Sequence, residues 1–140
     1  MDTKKWEWRK IAGCLSLLAI CLQMGCESNP HQQGEILYTN FCVNCHMEDG
    51  TGLEGLIPPL AKADFVQKYP AEVACIIRYG TSDTLRVNGM PYANPMPGFP
   101  QLSDFEIANI INYMNQAWGN DYGYLRFDVV EKGLEACADD

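Results

Sequence analysis

Five consecutive residues, Cys42-Val43-Asn44-Cys45-His46, bring two thiols and an imidazole into one short stretch of a 140-residue chain. Cysteines three positions apart lie on one helical turn, where each thiol can form a thioether to a haem vinyl group. The adjacent histidine then gives the iron a nitrogen, and C-x-x-C-H is the haem c attachment signature. A zinc site needs four ligands, usually as two separated pairs. The only other histidine, His31, stands in a polar segment and reads as a solvated linker residue. A thioredoxin-type pair wants a strand before it and a βαβ unit around it, and nothing in this chain reads as a parallel sheet. The pentapeptide predicts one covalent haem c, held by Cys42 and Cys45, with His46 as axial iron ligand.

A second axial ligand has to come from elsewhere, and four methionines beyond the N-terminal segment are available. Met47 directly follows His46 and cannot reach the opposite haem face. Met114 sits among helix-core positions, the usual place for methionine. Met90 and Met96 remain, each in a segment able to cross the haem. Met96 lies between Pro95 and Pro97, which fix φ and hold a loop open without internal hydrogen bonds.

The N-terminal segment carries an address rather than chemistry. Lys4, Lys5, Arg9 and Lys10 precede an apolar run from Ile11 to Leu22. Twelve residues make roughly 18 Å of helix against about 30 Å of hydrocarbon, a signal-peptide h-region rather than a span. Residues 1–25 are therefore expected to be a signal peptide, and the protein to be exported, to the periplasmic side. Gly25-Cys26 resembles the cleavage site of a bacterial lipoprotein, with Gln23 where the lipobox has leucine. Acylation of Cys26 would anchor the chain to the membrane without spanning it; ordinary signal cleavage and an uncleaved anchor are the alternatives. Removal of residues 1–25 takes four of ten basic and two of eighteen acidic residues, leaving six against sixteen and a formal charge of −10. Such a balance argues against nucleic acid and anionic lipid as partners. About 115 residues suit one small domain.

The elements that must position the motif are mostly helical. Residues 26–33 read as a polar tether, followed by a helix from about Gln33 to Asn44 with Gly34, Tyr38 and Cys42 on one face. Met47 to Leu60 is glycine-rich loop ending in Pro58-Pro59. Asp64 to Tyr69 is a short helix, and Ala71 to Tyr79 a second that ends at Gly80. Residues 84–92 form a small hairpin around Asn88-Gly89. Residues 93–101 hold three prolines and are expected to be irregular. Ser103-Asp104-Phe105-Glu106 is a capping box, opening a helix to about Trp118 that buries Ile107, Ile110, Ile111 and Met114. Past a turn-rich aromatic stretch, Asp128 is placed as the cap of a last helix from Val129 to Cys137.

Gly34, Tyr38, Cys42, Cys45 and His46, with Leu102 to Ile107, Tyr113 and Trp118-Gly119-Asn120, resemble the terminal helices of class I, single-haem cytochromes c. The resemblance covers about residues 34–120 and leaves 121–140 as a C-terminal extension. It implies the all-α cytochrome c fold, with the small residue and the aromatic of the first helix packed against the last. Tyr38 and Tyr113 are then expected in the haem environment. The resemblance also implies that the Pro58 carbonyl accepts the His46 Nδ1–H, a bond that would fix the ring and raise its basicity. Met96, six residues before Leu102, lies close to the family's spacing from ligand to final helix; Met90, twelve before it, is the runner-up.

Cysteine arithmetic adds a staple. With Cys14 and Cys21 removed, Cys26 lipidated and Cys42 and Cys45 on haem, Cys75 and Cys137 remain in an oxidising compartment, where a leftover pair is usually joined. His/Met ligation raises the potential and leaves no open coordination site. The expected protein is thus no enzyme. It is a membrane-tethered monohaem carrier of single electrons between a redox donor and acceptor, cycling Fe(II) and Fe(III). The competing reading is a haem-based gas sensor with a displaceable methionine; a small peroxidase lacks a distal base.

Overall fold

The structure, a computed structural model, describes residues 30–138. Residues 1–25, expected to be a signal peptide, and Cys26 lie outside the described residues. The first helix, α1 (Gln32–Phe41), starts within the expected tether, with His31 as its N-cap. It is interrupted at Cys42 before one further turn, α2 (Val43–His46). Met47 leaves that turn with φ 65°, and its carbonyl accepts the Tyr38 hydroxyl at 2.6 Å.

Two short helices follow, α3 (Asp64–Lys68) and α4 (Pro70–Tyr79). Proline opens α4, where its missing N–H costs nothing, and Gly80 closes it with φ 78°. The expected hairpin is β2 (Leu85–Val87) with β3 (Met90–Tyr92), after a two-residue β1 (Gly80–Thr81). Asn88 and Gly89 both take positive φ, 52° and 81°, the pattern of a type I′ turn. Asn88 also exchanges two hydrogen bonds with Asp64, docking the hairpin on the start of α3.

The architecture is mostly helical rather than all-α. Besides the hairpin, β1 pairs antiparallel with β4 (Met96–Pro97), in the stretch expected to be irregular. Proline removes only its own donor, so a two-residue edge pairing tolerates it. The pairing holds Met96 opposite Thr81 at the end of α4.

Helix α5 (Asp104–Met114) has the capping box: Ser103 N–H donates to Glu106 Oε2 at 2.7 Å, and Ser103 Oγ accepts from the Glu106 N–H. The helix ends at Met114, four residues before Trp118, where the Tyr113 carbonyl accepts the backbone N–H groups of Gln116 and Ala117. Asn120 Nδ2 donates to the Met114 carbonyl at 2.6 Å. Ile107, Ile110 and Ile111 are fully buried. Across α5 lies α1, and a Cβ on Gly34 would meet the Asn109 carbonyl and lie 2.7 Å from Tyr113 Cβ. Only glycine permits that crossing.

The final helix, α6 (Phe127–Ala138), begins before Asp128, which lies in its first turn rather than capping it. Asp128 pairs there with Arg126 at 2.7 Å. Val130 and Leu134 enter the same core as α4 and α5. Asn112 exchanges hydrogen bonds with Leu125, and Asn115 Nδ2 donates to the Gly123 carbonyl, so the segment before α6 is stitched to α5. The sulfurs of Cys75 and Cys137 meet, their Cα atoms 6.2 Å apart, within disulfide range. No helix among the described residues is long and apolar enough to cross a membrane.

Candidate functional site

The α1–α2 break puts Cys42 inside and Cys45 outside. Cys42 is buried and Cys45 exposed, one turn apart. Burial, and then the neighbouring Cys45, pushes the Cys42 thiol up to about 12. Cys42 is therefore a neutral thiol facing apolar surroundings.

His46 is buried beside it, and its Nδ1 lies 3.1 Å from the Pro58 carbonyl oxygen. Desolvation lowers its pKa, with the Pro58 bond opposing. A neutral ring that donates from Nδ1 leaves Nε2 as a lone-pair donor. Gly52 makes this possible, because a Cβ there would lie 2.6 Å from the Pro58 carbonyl oxygen. Its φ of 66° turns the loop back, and its N–H donates to the His46 carbonyl at 3.1 Å.

Cys42, His46, Pro58 and Met96 line one cavity. Its walls come from four elements: Phe65 and Val66 of α3, Val73, Ile76 and Ile77 of α4, Leu85 and Val87 of the hairpin, and Ile110 and Met114 of α5. A second hollow shares His46, Pro58, Leu85 and Met96 with it and reaches Cys45 and Pro95. Together they form an apolar cleft with a thiol pair, an oriented imidazole and a thioether as its donors. That donor set fits haem c, a flat apolar group with an iron that takes imidazole and thioether. Zinc finds no such match, since no cluster of three or more His, Cys, Asp or Glu exists among the described residues.

Met90 lines neither hollow and is 50% exposed on β3, whereas Met96 is half-buried and lines both. Met114 lines the cavity from within the helix core. Tyr38 and Tyr113, expected beside the haem, are not among the cavity-lining residues. Their rings pack tilted or edge-on against each other and Trp118 at centroid distances of 5.0–5.6 Å, between α1 and the end of α5. These aromatics fix the crossing of α1 and α5 one turn before Cys42.

The sequence reading gave no part in the cavity to Leu85 and Val87, and it named Asn120 only within the family resemblance. Leu85 and Val87 reach the cavity because Asn88 ties the hairpin to α3, a long-range contact without a local signature. Asn120 is buried, donates to the carbonyls of Met114 and Leu60, and accepts the Lys62 N–H at 2.6 Å. It thereby clamps the cavity-lining Leu60 to the end of α5.

The family model for cytochrome c matches residues 31–118. The chain is 39% identical over 90 residues to the cytochrome c subunit of a quinone alcohol dehydrogenase from Gluconobacter oxydans, covering 63% of this chain and 19% of that one. It is 36% identical over 83 residues to cytochrome c-552 from Thermus thermophilus, covering 56% and 63%. With the gluconate 2-dehydrogenase cytochrome c subunit of Pantoea cypripedii it shares 34% over 91 residues, covering 64% and 21%. The chain thus spans about a fifth of the two dehydrogenase subunits and under two thirds of cytochrome c-552.

Proposed function

The chain belongs to the cytochrome c family, and from that membership we propose that it is a monohaem electron carrier, exported and anchored through Cys26. Cys42 and Cys45 attach the haem, and His46 and Met96 are its axial ligands. Bound in the cleft, haem c supplies a one-electron Fe(II)/Fe(III) couple. The observation that carries the reading is the meeting of His46, fixed on the Pro58 carbonyl, and Met96 in one apolar cleft next to Cys42. Each residue there does a simple task. Pro58 holds the imidazole in one tautomer and orientation. The β1–β4 pairing holds Met96 at the cleft, and the α4 and α5 side chains exclude water. Exclusion of water and thioether ligation both favour the reduced, less charged iron. A chain that fills both axial positions from its own side chains has no vacant site for substrate, so it carries electrons and performs no further chemistry. The donor and acceptor are other redox proteins.

Spectroscopy of holoprotein variants tests the ligand set. Met96→Ala abolishes the sulfur–iron charge-transfer band of the oxidised protein and admits cyanide or carbon monoxide; Met90→Ala leaves the band intact. The reverse pattern would overturn the assignment.

A further inference from the structure

Resting on the Met96 ligand reading above, we infer that α6, pinned by the Cys75–Cys137 link, is a positioning brace for Met96 that acts through α4 and β1. The supports of Met96 are few. Among the described elements, β4 neighbours only β1 and α4. β1 follows α4 with no residue between them and pairs Thr81 with Met96 and Gly80 with Pro97. The join is backbone on backbone. A Cβ on Gly98 would lie 2.6 Å from the Gly80 nitrogen, and one on Gly80 would lie 2.5 Å from the Met96 carbonyl oxygen. One residue further, the Phe99 N–H donates to the Ile77 carbonyl at 2.8 Å, while the Phe99 ring rests edge-on against Phe41 of α1. Contacts between backbones leave no side chain to absorb a displacement, so a shift at the end of α4 carries Met96 with it.

The position of α4 depends in turn on α6, which lies beyond the residues matched by the family model. One face of α4 lines the cavity with Val73, Ile76 and Ile77. On another, Ala71 meets Gly133, where a Cβ would come within 3.0 Å of the Ala71 Cβ, and Cys75 is joined to Cys137. Ala71 and Cys75 are four residues apart, as are Gly133 and Cys137, so two successive turns of α4 lie on two successive turns of α6. Arg78 pairs with Asp104 at the start of α5, yet α4 packs more extensively on α6 than on α5. Such a brace matters most in the oxidised protein, because a thioether favours reduced iron. By resisting drift of Met96 it keeps the sixth position closed to outside ligands through the redox cycle. The same cleft without it would open more readily to a small ligand.

The test is cyanide binding to the oxidised full-length holoprotein, which requires Met96 to leave the iron, set against global stability from urea denaturation. Four proteins are compared. Cys75→Ala/Cys137→Ala lets α6 detach in local openings. Gly133→Leu keeps the link and wedges α6 away from Ala71. Gly34→Ala loosens the α1–α5 crossing instead, and the native sequence is the reference. Both brace variants should bind cyanide about three- to thirtyfold faster than the native protein. They should also lose the sulfur–iron band on warming before the domain unfolds. Gly34→Ala should stay close to the native rate once its loss of global stability is allowed for. Rates that follow global stability alone in all four proteins, or brace variants with the native rate, would overturn the inference and leave the ligand reading intact. A sulfur–iron band that survives Met96→Ala would overturn the ligand reading, and this inference with it.

Discussion

Removing the Cys75–Cys137 link by the double substitution Cys75→Ala/Cys137→Ala tests whether α6 is a stapled part of the domain. The two residues are 62 apart in sequence. For a closed loop of that length the chain-entropy relation gives about 4 kcal/mol of stabilisation, through restriction of the unfolded chain. Native contacts remain when the link is cut. Val130 and Leu134 stay buried, and Gly133 still packs on Ala71, where a Cβ would come within 3.0 Å. The helix should therefore remain docked while the whole domain loses stability. With allowance for residual structure in the unfolded state, the expected loss is about 2–4 kcal/mol, or roughly 10–20 °C in midpoint. The assay is denaturant unfolding of the holoprotein with and without reductant, alongside thiol counting on denatured, unreduced protein. The native protein loses stability on reduction and shows no free thiol in the described region; the variant is indifferent to reductant. Two free thiols in the native protein, with a midpoint unmoved by reductant, would refute the reasoning.

Three further perturbations have expected outcomes. Gly34→Ala forces a methyl against the rigid Asn109 carbonyl; overpacking of about 1–3 kcal/mol is only partly offset by about 1 kcal/mol of helix propensity. A net loss of up to about 2 kcal/mol by urea denaturation is expected, and a more stable variant would contradict the close crossing. Asn120→Ala strands the buried carbonyls of Met114 and Leu60 and the Lys62 N–H, so about 2–4 kcal/mol should be lost, measured the same way. The carboxyls of Asp64, lowered chiefly by the Asn88 N–H, and Glu106, lowered chiefly by the Ser103 N–H, sit below the ordinary range. A folded pKa below the unfolded one contributes stability above about pH 4 that is lost as pH falls through the folded value. Thermal midpoints should thus hold from pH 7 to 5 and fall below about 4, with a shallower fall in Glu106→Gln.

Much of the site was legible because its chemistry is local. The spacing of Cys42, Cys45 and His46 is a one-turn property, and so are the Ser103–Glu106 cap and the positive-φ demand of Asn88-Gly89. The shared face of Gly34 and Tyr38 is likewise a property of spacing, and its packing on the last helix was what the family resemblance implied. Tertiary structure decided the rest. Met90 and Met96 have equal chemistry and similar local surroundings; the pairing of β4 with β1 is what sets one in the cleft and leaves the other on the surface. Asn120 reaches back to the Met114 carbonyl at the end of α5, a contact that no propensity encodes. Tyr38 packs against the end of α5, as the resemblance implied, but its ring contacts with Tyr113 and Trp118 join residues far apart in sequence and are visible only in the packed chain. By itself the sequence determined which groups could bind a haem, since residue identity and short spacing suffice. Only the packed chain decided which of them share a cavity, because that depends on contacts between segments tens of residues apart.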